Sequence, residues 1–257
     1  QRLNDAGVPA GPVYSVPQGL EHPQIPERGV RLAAAMRSRG LRPGDVVSFQ
    51  LPNWHEAMVI NIACCIAGLV SNPIVPMYGD AEVAYILAHA RSRALFIPGQ
   101  FRSIDYREMV ERLRKDLPDL AVVALVRSRG EGFDSYEDLL ATQGDRDLEP
   151  IAASFAPVDP NAVKLLLFTS GTTGDPKGVL HSHNTLGAEI DAVTAFWQLH
   201  ERDVVLMPSP VTHITGYLYA LELPFALGMR VVLMERWNAA DALGLTYWTR
   251  MRYIVLP

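Results

Sequence analysis

The sequence predicts an α/β fold of layered, mainly parallel sheets flanked by helices. Two observations carry this. Short aliphatic and β-branched runs at 46–51, 70–75, 94–97, 121–126, 163–168, 204–207 and 230–234 alternate with helix-length segments, and crossovers of that length join parallel strands. At 257 residues, 49% of them hydrophobic, the chain is also long enough for a large core in one or two domains.

Residues 1–29 stand apart. They carry five prolines (Pro9, Pro12, Pro17, Pro23, Pro26) and four glycines without a sustained period, which reads as an extended arm. A helix over 30–39 follows, closed by Gly40 at the usual C′ position. The turn Arg42-Pro43-Gly44-Asp45 leads into strand 46–51, and Asn53 is expected to cap a helix over 54–68. Within it the apolar run 57–70 contains Asn61 and is shorter than the roughly 20 residues that cross a bilayer, so it reads as a core helix. Cys64 and Cys65 are adjacent and point to different helix faces, which makes them small buried hydrophobes rather than a disulfide.

Strand 70–75, helix 80–89 and strand 94–97 come next. Helix 105–117 is amphipathic, with Met109, Val110, Leu113 and Leu117 on its apolar side. After strand 121–126, the polar stretch 127–161 holds one short helix near 136–141. Strand 163–168 then enters a loop. A helix capped by Asn184 runs to about 199, with Leu186, Ile190, Val193 and Trp197 in period. Strands 204–207 and 230–234, helices 216–227 and 239–249, and a strand from 253 complete the chain. No internal repeat is visible.

A net charge of -5 and a pI near 5.8 argue against non-specific nucleic-acid binding and against a polybasic membrane surface. The start shows no signal peptide, and a soluble cytoplasmic protein is expected.

The candidate site is the loop Thr169-Ser170-Gly171-Thr172-Thr173-Gly174-Asp175-Pro176-Lys177-Gly178. Glycines let a backbone approach an anion, successive N–H groups form an anion-binding concavity, and hydroxyls and a lysine add donors and charge. It is not a Walker A loop, because Pro176 stands at the second glycine position and Gly178 follows the lysine. Ser170 as a hydrolase nucleophile lacks a surrounding G-x-S-x-G elbow. A solvated surface lysine is the plain alternative for Lys177. His181 and His183 have no acidic or cysteine ligand near them, so they read as orienting the loop's exit rather than holding a metal.

This loop resembles the signature of the adenylate-forming superfamily: acyl-CoA synthetases, adenylation domains and luciferases. Gly44-Asp45-Val46-Val47 through Leu51-Pro52-Asn53-Trp54 resembles the family's early strand-loop-helix. Pro208-Ser209-Pro210-Val211-Thr212-His213-Ile214-Thr215-Gly216 resembles the stretch that gates its acyl pocket. The resemblance covers about residues 28–257 and implies an incomplete N-terminal domain of the adenylate-forming fold, placed at 30–257. The style of 72–76 and 213–217 is closest to synthetases for medium-chain, cyclic or aromatic acids. Leu3-Asn4-Asp5-Ala6-Gly7-Val8-Pro9 and the following residues resemble a segment of family III CoA-transferases, so 1–29 is expected to be a transferase-like arm or fusion segment.

The superfamily resemblance implies a two-step ligase. A carboxylate attacks the α-phosphate of Mg-ATP to give acyl-adenylate, and the CoA thiol then displaces AMP. Thr169, Ser170, Gly171, Thr172, Thr173, Gly174 and Lys177 would embrace the β- and γ-phosphates, and Thr172 would contact Mg2+ as an oxygen ligand. Lys177 and His213 are the implied catalytic residues, with His213 beside the α-phosphate and the acyl carboxylate. Without the motif, a lone histidine there reads as structural. Gly216 would floor the acyl pocket. The implied co-substrates are ATP, CoA and a small carboxylic acid. The later motifs for adenine and ribose lie beyond Pro257, so a fragment is expected, with a complementing chain as one way to supply them. The alternatives are a non-catalytic fragment with residual phosphate or acyl affinity, and an adenylation component that loads an aryl acid onto a carrier protein.

Overall fold

Side-chain alternation along the central strands explains the layering. In the computed structural model, which describes residues 13–16, 20–21, 25–144, 146–169, 176–238 and 253–254, the chain opens with β1 (Val13–Val16) and β2 (Leu20–Glu21). Helix α1 (Ile25–Ser38), β3 (Val46–Phe49), α2 (His55–Ala67) and β4 (Val70–Pro73) follow. Next are α3 (Asp80–Ala90), β5 (Ala94–Pro98), the small ribbon β6 (Gln100–Phe101) and β7 (Ile104–Asp105), and α4 (Tyr106–Leu113). Strands β8 (Val122–Val126) and β9 (Asp134–Ser135) precede α5 (Tyr136–Ala141) and α6 (Leu148–Ala153).

β10 (Val163–Thr169) and β11 (Lys177–Ser182) lead to α7 (His183–Trp197) and β12 (Val204–Met207). The helical stretch that follows is α8 (Ile214–Gly216), a π-helical segment (Tyr217–Glu222) and α9 (Leu223–Leu227). β13 (Arg230–Met234) and β14 (Tyr253–Ile254) close the described residues.

One sheet runs β11-β10-β4-β3-β5-β8-β9 and is parallel except for the β10–β11 pair. The other runs β14-β12-β13-β1-β2 and is parallel except for β1–β2. Along β5 and β8, Leu95, Ile97, Val123 and Leu125 enter a core with α3 and α4. The alternate residues Ala94, Phe96, Val122, Ala124 and Val126 enter a second core with α1, α2 and α5. Burial on both faces is why these strands read as continuous apolar runs.

The second core also takes in Val205, Met207, Val231 and Leu233 of the other sheet. Helix α2 therefore contacts core residues of both sheets. That explains a helix apolar on all sides that is nonetheless too short to span a membrane. Among the described residues no helix is long and apolar enough to cross one, and Cys64 and Cys65 are free thiols.

Several elements differ from expectation. β11 was expected as loop; its Val179 and Leu180 are 39% and 61% exposed, so this edge strand has no buried face to impose an alternating pattern. Helix α6 lies in the polar stretch 127–161, where only one short helix is expected. Asp147 caps it, and Arg37 holds its end, donating to the Ser154 Oγ at 2.9 Å and lying 4.1 Å over the Phe155 ring. Asn184 does not cap α7, because β11 extends to Ser182, which forms a capping box with Thr185. The expected helix 105–117 ends as α-helix at Leu113 and continues as one 3₁₀ turn, 114–116. The expected helix 239–249 lies outside the described residues. The stretch expected as an arm contributes β1, which pairs in parallel with β13 from Val13↔Val231 to Val16↔Met234.

Candidate functional site

β10 runs parallel to β4, which runs parallel to β3, so Thr169 lies at the carboxyl edge of its sheet. Lys177 begins the antiparallel β11 at that same edge, and the two are register partners. The Thr169 hydroxyl donates to the Lys177 carbonyl at 3.4 Å, and both residues are exposed. Lys177 forms no salt bridge with a described residue. Gly178 follows because a Cβ there would stand 2.8 Å from Leu166 Cδ1 on the neighbouring strand. Ser170, Gly171, Thr172, Thr173 and Gly174, between the two strands, lie outside the described residues.

His213 and Gly216 belong to the other sheet, just beyond β12. His213 is the N-terminal cap of α8; its Nδ1 accepts from the Thr215 N–H at 3.4 Å, and its ring is exposed. Gly216 is buried against the preceding turn: a Cβ there would lie 2.5 Å from the Pro210 carbonyl carbon and 2.9 Å from the Ser209 oxygen. Close backbone approach thus accounts for this glycine.

What joins these two sheets is Asn53, which the sequence suggested as a helix cap. The cap position is instead Trp54, whose side chain makes no capping hydrogen bond. Asn53 is buried, and its amide donates to the carbonyls of Met207 (3.3 Å), Ser209 (2.9 Å) and Met234 (3.0 Å) while its Oδ1 accepts from the Val211 N–H at 2.8 Å. The carboxyl ends of β3, β12 and β13 therefore meet. In open α/β sheets the crevice outside the carboxyl strand ends is where ligands bind, and every described candidate lies on such an edge.

A second group on this edge surrounds Trp54. Its Nε1 donates to Glu235 at 2.8 Å, Phe101 meets its ring edge-on, and the Arg127 guanidinium lies 4.2 Å above it. Arg127 binds Glu56 bidentately at 2.7 and 2.9 Å. Burial pushes the Glu56 carboxyl up, but Arg127 hydrogen bonds and the charges of His55 and Arg127 outweigh it, leaving it below its ordinary value of 4.5. A depressed carboxylate stabilises the fold above the unfolded value, and that stability is lost as pH falls through the folded one. Arg127→Met should therefore destabilise the protein by about 2 kcal/mol near neutrality. In urea melts the gap from wild type should narrow steadily below pH 4.5; a pH-independent gap would contradict this account.

Beneath the sites lies a buried polar network that the sequence did not reveal. Lys164, inside the apolar β10, pairs with Glu222. Glu222 also accepts from Asn61 Nδ2 at 2.7 Å, and Tyr217 OH donates to Asn61 Oδ1 at 2.5 Å. The π winding brings residues five apart onto one face, which lets Tyr217 and Glu222 both reach Asn61. Burial opposes the Lys164 ammonium, yet Cys65 and Glu222 hold its pKa above the ordinary value. His183 is shifted down by burial and then by the Lys164 charge. A lysine in a strand of leucines was the one available signal for this pair. No group of three metal-ligating side chains occurs among the described residues.

An exposed cation with no salt bridge to a described residue, beside a hydroxyl, suits an anion, and the oriented His213 ring offers Nε2 outward from a fixed cap. The family model of the AMP-binding enzyme matches residues 13–253. A medium-chain fatty-acid–CoA ligase of Escherichia coli is 33% identical over 214 residues, covering 83% of this chain and 37% of that protein. A salicyl-AMP ligase/salicyl-S-ArCP synthetase of Mycobacterium tuberculosis is 31% identical over 214 residues, covering 83% of this chain and 36% of that protein. The chain thus spans little more than a third of the length of these curated relatives.

Among solved structures, ATP-bound MatB from Rhodopseudomonas palustris superposes with a TM-score of 0.78 at 20% identity, over 93% of this chain and 45% of that one. The anthranilate CoA ligase AuaEII in complex with anthranoyl-AMP gives 0.79 at 20%, with the same coverage. The match begins at residue 13, inside the stretch expected to be transferase-like, and none of these matches supports a transferase there. With the sequence motif, the parallel sheets and the relatives in agreement, the chain belongs to the AMP-binding enzyme family and corresponds to the N-terminal portion of its fold.

Proposed function

We propose that this chain supplies the phosphate-binding half of an acid–thiol ligase that converts a carboxylic acid to an acyl-adenylate and then to an acyl-CoA. The observation that carries the reading is the Thr169–Lys177 pair at the mouth of the β10–β11 hairpin, an exposed cation and hydroxyl flanking the hydroxyl- and glycine-rich stretch 170–175. In this reading Lys177 neutralises charge on the β- and γ-phosphates of ATP, where positioning and electrostatics dominate the chemistry. Ser170, Gly171, Thr172, Thr173 and Gly174 complete the cradle in this reading. Thr172 is the proposed Mg2+ contact, and the ion would add charge neutralisation at the phosphates. His213 and Gly216 bound the acid's side of the site. A soluble cytoplasmic location suits these substrates.

Mg-ATP binding by the purified chain is the direct test. Lys177→Ala and Thr172→Ala should each weaken it by about tenfold or more, the scale of one charge-assisted contact to phosphate. Unchanged affinity in both variants would remove the basis of the proposal.

Because the chain spans 37% of its ligase relative, a second reading is a non-catalytic portion with phosphate affinity alone, completed by another chain. Carboxylate-dependent pyrophosphate exchange separates the two, since phosphate binding by itself produces none. A third reading, an adenylation component for an aryl acid, rests on the salicyl-AMP ligase match. It requires acyl transfer to a carrier-protein thiol in preference to CoA.

A further inference from the structure

We infer that Asn53 is a positioning residue: its side-chain amide sets the turn 208–211 and, through that turn, the orientation of His213. The inference rests on the reading of His213 as a site residue. Asn53 uses both ends of one buried amide to bind four backbone groups from two strand exits. Three of its partners, Met207, Ser209 and Val211, bracket the turn itself. That turn carries the His213 cap directly, since the His213 N–H donates to the Pro210 carbonyl at 2.9 Å and Tyr217 N–H donates to the His213 carbonyl at 2.8 Å.

Beyond Asn53, the turn is held by the burial of Val211 in the core and by the His213–Pro210 hydrogen bond, neither of which fixes its strand-exit carbonyls. The Thr212 hydroxyl is buried with no hydrogen-bond partner among the described residues, so the side chain nearest His213 adds no anchor. Gly216 presses on the Pro210 carbonyl from the far side, so any shift of the turn moves the helix start and the ring together. A carboxamide is the side chain that fits, because it supplies an NH2 donor pair and an acceptor in one plane. Aspartate retains the acceptor for Val211 but loses the donors and sets a carboxylate against three carbonyls. Leucine approximates the shape and removes both functions. The fixed ring in turn defines which nitrogen faces outward: with Nδ1 accepting from Thr215, the neutral ring carries its proton on Nε2.

The test is ring and amide NMR on the full chain with Asn53→Leu and Asn53→Asp. In Asn53→Leu the Val211 amide should exchange about tenfold faster or more, the scale of one lost buried hydrogen bond. The His213 ring nitrogens should leave the Nε2–H pattern for an averaged one. Asn53→Asp should keep Val211 protected and still perturb the ring, because the donors to Met207, Ser209 and Met234 are gone. His89, whose ring stacks on Tyr85 at 3.8 Å, should be unchanged in both and serves as the fold control. Should the leucine variant not fold, the aspartate variant alone decides. An unmoved His213 ring alongside a faster Val211 amide would overturn the inference, leaving Asn53 as a staple between sheets. Mg-ATP binding that ignores Lys177 would sink the functional reading while leaving this ring measurement intact.

Discussion

Gly216→Ala is expected to destabilise the protein by about 3 kcal/mol and to displace His213. The added Cβ would meet the Pro210 carbonyl, 2.5 Å from its carbon, and the Ser209 oxygen at 2.9 Å. These are backbone atoms, so no rotamer change relieves the overlap. The turn itself is pinned by Asn53 and by the Pro210–His213 hydrogen bond. Overpacking of about one methyl group in a site that can relax costs about 1–3 kcal/mol, and this site is held on both sides. Urea denaturation of Gly216→Ala beside Gly228→Ala makes the comparison. Gly228 has a positive φ of +67 and open space around it, so its cost is conformational alone, about 1 kcal/mol. Equal losses at the two positions would show that the packing argument for Gly216 is wrong.

The largest electrostatic effect should come from separating Lys164 and Glu222. Their side chains are 7% and 11% exposed, and removing one partner leaves a charge in the interior, at a cost of about 3–5 kcal/mol. Lys164→Met should show this loss in full. Glu222→Gln should show it too, although Gln keeps the acceptor for Asn61. The double variant K164M/E222Q removes both charges and preserves the Asn61 contact, so it should recover most of the stability of wild type. Losses that simply add in the double variant would mean the pair is not coupled. Tyr217 sits in the same network, and burial holds its phenol well above the ordinary value. It therefore stays a neutral donor to Asn61 across the working range and does not complicate the cycle.

Much of the architecture was legible in local sequence because it depends on local periodicity. The runs at 94–97 and 121–126 announced strands covered on two faces, and both faces of β5 and β8 are indeed filled. Helix α2 announced itself as buried by being apolar all round. Met109, Val110 and Leu117 are buried as their spacing required, and Leu113 packs partly against the same core. The loop 169–178 stood out by composition alone, and Thr169 and Lys177 prove to be partners across one hairpin.

What the sequence could not settle is whichever property belongs to a pair of distant residues. Asn53 after Pro52 has the local signature of a helix cap, and only the meeting of two sheets turns it into a clamp on Val211, 158 residues away in the chain. Lys164 looks like an interruption in a strand until Glu222 arrives on a π-helical turn. Gly216 stands out in the sequence only through its motif, and its close packing shows only when the Pro210 carbonyl lies against it. Periodicity and composition act within a few residues, so they determined the layers and the core helix and singled out the loop 169–178. Burial, close approach and charge pairing arise only when separate strands share an edge, so tertiary structure alone decided which residues hold the site in place.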